Sequence, residues 1–170
     1  MRYITAFINC EEGTIRELSE VKEIFDIISR VSWQASRVEA VSRTGKKVYW
    51  QEAYNRLFEI QFEKQQWDTQ PTISASPLHK ADFAKNKIFV EIQFGNSSTV
   101  YRDFYKFHLG FDRQVLKLGV LVVPTDQYAF FPQRNPRSIQ NMATYEYALE
   151  HFEVIPLPVP ILLIGLLPEN

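Results

Sequence analysis

Lys87-Ile-Phe-Val-Glu-Ile-Gln-Phe94 is the stretch on which the fold turns. It is rich in β-branched and aromatic residues and is closed by Gly95-Asn96, so it reads as a β-strand. Alternation along a strand sends Val90, Ile92 and Phe94 to one face and Glu91 and Gln93 to the other. Immediately downstream, Ser97 or Ser98 can cap a helix running to about Leu109, with Val100, Phe104, Phe107 and His108 partly on one side. Leu116 to Val123 is then a continuous apolar run closed by Pro124, the pattern of a buried strand. A strand, a helix and a second buried strand predict a crossover within an α/β sheet.

Upstream, residues 14 to 30 predict a helix, with Thr14 and Glu17 at capping-box spacing and Ile15, Leu18, Phe25 and Ile28 recurring on one face. Lys46 to Trp67 predicts a second helix with a broad apolar stripe, on which Glu59 and Glu63 read as a solvated edge. A loop from Gln70 through Pro77 follows. Beyond Pro124, residues 125 to 137 read as a loop, 138 to 151 as a helix, and 152 to 165 as holding a last strand.

The whole chain is 170 residues, 45% hydrophobic and 14% aromatic, which fits one domain over 1–170 with a real core. The run from Val159 to Leu167 is too short to cross a bilayer, and Met1-Arg2-Tyr3-Ile4 opens no signal peptide. One cysteine, Cys10, excludes an internal disulfide and a cysteine metal cluster. The expected compartment is the cytoplasm. A net charge of −1 does not advertise a nucleic-acid partner, although basic groups can gather on one face.

Chemistry enters with Asp82, nine residues before Glu91, far enough for the preceding segment to fold back beside the strand. Two carboxylates brought together in this way suit a hard divalent cation such as Mg2+, which keeps several waters and is held by few protein oxygens. Taken singly, Asp82 also fits a turn, and Glu91 and Gln93 fit the open face of an edge strand.

The pattern Asp82-x8-Glu91-x-Gln93 resembles the active-site motif of type II restriction endonucleases of the BglII/BstYI type, a branch of the PD-(D/E)XK nucleases whose usual signature ends in Glu-x-Lys. The resemblance extends in order through Gln34-Ala35-Ser36-Arg37-Val38, Asn55 with Trp67, Gly119 to Val123, Phe131-Pro132, Tyr145-Glu146 with Ala148, and Leu163 to Leu166, covering most of the chain from residue 34 onward. It implies a restriction-endonuclease-like fold with a mixed central sheet flanked by helices. It also implies Mg2+-dependent hydrolysis of duplex DNA to 5′-phosphates by a homodimer at a short palindrome, with GATC at its centre in relatives. Asp82, Glu91 and the Ile92 carbonyl would hold the metal, and Gln93, in place of lysine, would orient the attacking water. The helix after Asp103 and the one around Tyr145 are the expected dimer contact. A non-cleaving DNA-binding module and another nuclease of the superfamily are the alternatives.

Candidate DNA contacts follow. Ser97 and Ser98 at a helix start can hold a phosphate, Asn96 resembles a base-facing position, and Arg102 lies one turn along. Asp103 and Lys106 fit a surface-exposed face of that helix. The loop Gln133-Arg134-Asn135-Pro136-Arg137-Ser138 is the most basic and amide-rich in the chain; Arg134, Asn135, Arg137 and Ser138 carry groups suited to base edges, and an ordinary polar turn is the alternative.

Overall fold

A computed structural model of the chain describes residues 1–34, 38–74 and 79–168. Ala35, Ser36 and Arg37, quoted above for the resemblance, and the 75–77 end of the expected loop lie outside these residues.

The chain begins with a strand, β1 (Arg2–Ile8), followed by α1 (Glu12–Glu17) and α2 (Ser19–Arg30). The single helix expected from residue 14 is therefore two. Leu18 breaks them with an extended backbone, and Thr14 sits inside α1 with its hydroxyl donating to Glu11, so no capping box forms. A hairpin of β2 (Glu39–Val41) and β3 (Lys47–Tyr49) leads into α3 (Trp50–Lys64), four residues later than the periodicity predicts. Then come β4 (Asp68–Thr69), β5 (Phe83–Lys85), β6 (Ile88–Ile92), α4 (Ser98–Asp112) and β7 (Leu118–Pro124). The expected loop after Pro124 holds two short helices, α5 (Gln127–Phe130) and α6 (Pro136–Gln140). After them, α7 (Tyr145–Val154) begins later than predicted, and β8 (Ile161–Leu167) falls on the apolar run read as a last strand.

Six strands form one mixed sheet in the order β1-β8-β7-β6-β5-β4. β6, β7 and β8 run parallel, and β1, β5 and β4 are added antiparallel at the two edges. The three parallel strands are almost wholly buried because both faces are covered. Ile88, Val90, Ile92 and Phe94 pack with Leu118, Val120 and Val122 into the core beneath α2 and α3. Phe89, Leu121, Val123 and Leu163 pack on the other side with Phe104 and Phe107 of α4 and Ala148 and Phe152 of α7. The crossover from β6 through α4 to β7 is the one the sequence predicts. No helix among the described residues is long and apolar enough to cross a membrane.

Two local features position the site. The β5–β6 hairpin turns through Asn86 and Lys87, both at positive φ (48° and 64°), the backbone of a tight two-residue turn. That turn fixes the register Phe83↔Val90. At the other end, Ile92↔Val122 is the last pair between β6 and β7, and Pro124 has no N–H with which to continue the ladder.

Candidate active site

Carrying the Phe83↔Val90 register one residue further sets Asp82 across from Glu91. Asp82 is held there by the Ile92 N–H, which donates to its Oδ2 at 2.9 Å. The fold-back expected from the nine-residue spacing is thus a hairpin, closed by a side chain where the backbone ladder stops. Glu91 is 2% exposed and Gln93 8%, both on the β6 face that α4 covers.

Buried carboxylates demand partners, and α4 supplies them. Lys106 Nζ donates to Glu91 Oε2 at 2.6 Å and lies 2.9 Å from Asp103 Oδ1. Gln93 Nε2 donates to Asp103 Oδ2 at 2.8 Å, while Gln93 Oε1 accepts from the Gly95 N–H at 2.7 Å. Asp103 and Lys106 are therefore no solvated surface pair: they are 1% and 4% exposed and form the floor of the site. The signal was available, because Asp103 falls three residues after Val100 and four before Phe107, on the buried stripe of α4. Gln93 has both ends of its amide engaged in this structure.

Glu91 Oε1 is buried and has no hydrogen-bond partner among the described residues. Burial raises the Glu91 carboxyl well above its ordinary range, and Asp82 and Asp103 push it further against the opposing pull of Lys106. Burial also raises Asp82, opposed by the Ile92 N–H and by Lys106. Burial alone would lower the Lys106 ammonium, but Glu91 and Asp103 outweigh it and hold its pKa above the usual value. Three acids sharing one base leave an excess of formal negative charge and, among the described residues, two buried oxygens without a hydrogen-bond donor, of which Asp103 Oδ1 has the Lys106 ion pair and Glu91 Oε1 has nothing. A hard divalent cation fits that deficit. Among the described residues no group of three or more His, Cys, Asp or Glu side chains could hold a metal unaided, so waters and a substrate oxygen would have to complete its shell.

Asp82 and Ile92 also wall a cavity of about 260 Å3, closed opposite by Glu52, Asn55, Arg56 and Glu59 of α3 and by Ser42 and Arg43 of the β2–β3 hairpin. Glu59, expected at a solvated edge, lines this cavity and is paired with Arg43 at 2.8 Å. A second hollow of about 410 Å3 shares Glu52 and Asn55 and reaches Phe131 and Arg134. A groove thus runs past the end of β6 towards α6.

The residues expected at DNA divide into two groups. Asn96, Ser98, Asn135, Arg137, Ser138 and Arg102 are exposed, and Ser97 partly so. Asn96 Oδ1 accepts from the Ser98 N–H at 2.9 Å, and Asn135 caps α6 through the Arg137 N–H. The C-terminal end of α6 is bound to the start of α4 by Ser97 N–H to Asn141 O at 2.6 Å. Arg134 is partly buried instead, donating to Phe94 O and Gln51 Oε1, both at 3.1 Å. It ties the loop to β6 and α3.

Against known proteins, residues 13–166 match the family model described as restriction endonuclease BglII/BglIII. Two solved structures share the fold. A crystal structure of restriction endonuclease BglII complexed with a DNA 16-mer superposes with a TM-score of 0.76 at 17% identity, covering 100% of this chain and 78% of that one. A crystal structure of free BglII gives 0.62 at 17% identity, covering 99% and 81%. No curated protein sequence matches.

Proposed function

Because the chain belongs to the BglII/BglIII family of restriction endonucleases, which are enzymes, we propose that it hydrolyses phosphodiester bonds of duplex DNA with Mg2+ as cofactor, at a short palindrome and as a homodimer. Within the wider PD-(D/E)XK nucleases it belongs with the variants carrying Glu-x-Gln. The proposed place of action is the cytoplasm.

The observation that carries the reading is the unpartnered, buried Oε1 of Glu91 at the strand end where Asp82 is pinned beside it. Asp82, Glu91 and the Ile92 carbonyl are the proposed protein ligands. Mg2+ bound there would acidify a coordinated water and offset the charge that builds on phosphorus. Asp82 keeps its place through the Ile92 N–H, so the ligand nearest the groove is fixed to the ligand strand itself. Gln93 braces Asp103 and the Gly95 turn, and its remaining amide proton and lone pair are what it has for a water. Cleavage leaving a 5′-phosphate and a 3′-hydroxyl, without a covalent intermediate, is the expected course.

For DNA, Ser97, Ser98 and Arg102 are proposed to grip the backbone, and Asn96, Asn135, Arg137 and Ser138 to face the bases. Arg134 acts here through the loop it anchors. A palindrome containing GATC is the proposed site. The homodimer contact is proposed on α4 and α7, where Tyr101, Tyr105 and Phe111 are 45%, 49% and 36% exposed and Tyr101 meets Tyr147 hydroxyl to hydroxyl at 3.3 Å.

The test is digestion of unmethylated phage DNA with and without Mg2+, beside Asp82→Asn. Discrete fragments requiring both the metal and Asp82 support the reading, and their ends give the site and the position of the phosphate. Binding without cleavage under any metal would replace it with a non-cleaving DNA-binding module.

A further inference from the structure

The sequence contains nothing to mark Lys106, yet it is the most deeply embedded cation of the site. It stands on α4 fifteen residues beyond Glu91, and its ammonium reaches two buried carboxylates at 2.6 and 2.9 Å. A lysine that far inside a domain loses most of its hydration and rotamer freedom, so it persists only where fixed negative charge compensates. Here the compensation is asymmetric. Lys106 takes Oε2 of Glu91 and leaves Oε1 without a donor. Asp103 is in turn fixed from two sides, by Lys106 and by Gln93 Nε2 at 2.8 Å, so the ammonium cannot swing away from Glu91 without breaking a second contact.

The charge count points the same way. In formal charges, Asp82, Glu91 and Asp103 bring three negative and Lys106 one positive, a deficit of two that one divalent cation cancels. Without the ammonium the formal deficit is three, and Glu91 Oε2 loses the side-chain donor that holds it. The carboxylate would then be free to turn, which withdraws its open oxygen from a cation.

We propose that Lys106 is the positioning residue of this metal site: by occupying one oxygen of Glu91 it fixes the carboxylate with the other oxygen free for a divalent cation. This rests on the reading of the site as metal-dependent. Groups that orient metal ligands from behind typically contribute 10- to 100-fold to metal affinity, and that is the scale expected here.

The probe is Mn2+ alone, its binding followed by loss of the free-ion electron paramagnetic resonance signal, with protein and uncleaved DNA present. Lys106→Met should weaken Mn2+ binding by about tenfold or more while DNA binding in EDTA stays within about twofold. The charge-swapped variant Gln93→Lys with Lys106→Met returns an ammonium to the same side of β6, next to Asp103, and should recover most of that loss. A role confined to filling space would give no such recovery. Undiminished Mn2+ binding by Lys106→Met overturns the proposal and leaves the nuclease reading standing. No Mn2+ binding by the wild-type chain overturns both. Should Lys106→Met fail to fold, the wild-type chain still decides. The resonance of the buried Lys106 ammonium should shift on titration with Mg2+, and a resonance that stays put while the ion binds sinks the idea.

Discussion

At the scale of single residues, the site is a contest between burial and charge. Asp82→Asn and Glu91→Gln keep the shape of each side chain and remove its charge. Each should depress cleavage by roughly a thousandfold or more, the scale of losing one charge-stabilising group, while DNA binding measured in EDTA persists. Loss of binding as well would mean that the residues hold the fold rather than the chemistry. The same burial makes stability depend on pH. Asp82 and Glu91 titrate above the ordinary carboxylate range when folded, so between the unfolded and folded pKa values the folded chain holds protons that the unfolded chain has released. Stability is greatest at low pH in that window and falls as pH rises through it. Glu59, held down by Arg56 and Arg43 against its own burial, acts oppositely, but only as pH falls below its unfolded value. In EDTA the melting temperature should therefore drop as pH rises above the ordinary carboxylate range, and Glu91→Gln should flatten the drop; an equally steep fall in the variant would assign it to other groups. That Asp82, Glu91 and Gln93 come together at one end of β6 was legible in the sequence, because their spacing is tied to strand geometry. Asp103 was legible only through its place on the apolar stripe between Val100 and Phe107, and Lys106 was not, because a charged pair three residues apart on a helix looks the same whether it faces water or a buried carboxylate.

At the scale of elements, the site depends on how closely α4 lies on the sheet. A Cβ on Gly119 of β7 would come within 2.8 Å of both Phe107 Cγ and Ile161 Cδ1. Phe107 is fully buried on the same helix as Asp103 and Lys106, so it cannot give way without moving α4. Gly119→Ala should cost about 1–3 kcal/mol, as overpacking of a filled core does, and should impair cleavage beyond what the loss of folded protein explains. Urea unfolding with an unchanged slope and a lower midpoint is the expected signature; an unchanged midpoint would mean that α4 has slack. The β6–α4–β7 crossover was legible because apolar period and turn residues agree along it. β1 was not, since Tyr3-Ile4-Thr5-Ala6-Phe7 at a chain end has no neighbouring signal, and its place follows from pairing with β8, some 160 residues away in the chain. The break at Leu18 was missed for a related reason: Thr14 and Glu17 have the spacing of a cap, but local spacing does not show where the first turn begins.

At the scale of the whole molecule, a net charge of −1 leaves little long-range field to draw in DNA, so affinity has to come from a few placed cations. Arg102 on α4 and Arg137 on α6 are exposed, flank the strand end, and enter no ion pair among the described residues. Each cation that neutralises one phosphate adds about 0.9 to the slope of log affinity against log salt. In a homodimer every such residue counts twice. Arg102→Ala should therefore reduce that slope by about 2 if two subunits grip the duplex, and by about 1 if one does. Fluorescence anisotropy over a salt series, in EDTA to prevent cleavage, reads both the contact and the stoichiometry. Tyr105→Glu, which places a charge on the exposed aromatic face of α4, should convert the first result into the second and turn double-strand cleavage into nicking. A slope that Arg102→Ala leaves unchanged would remove that arginine from the DNA interface. A change of about 1 in the otherwise unaltered chain would remove the dimer.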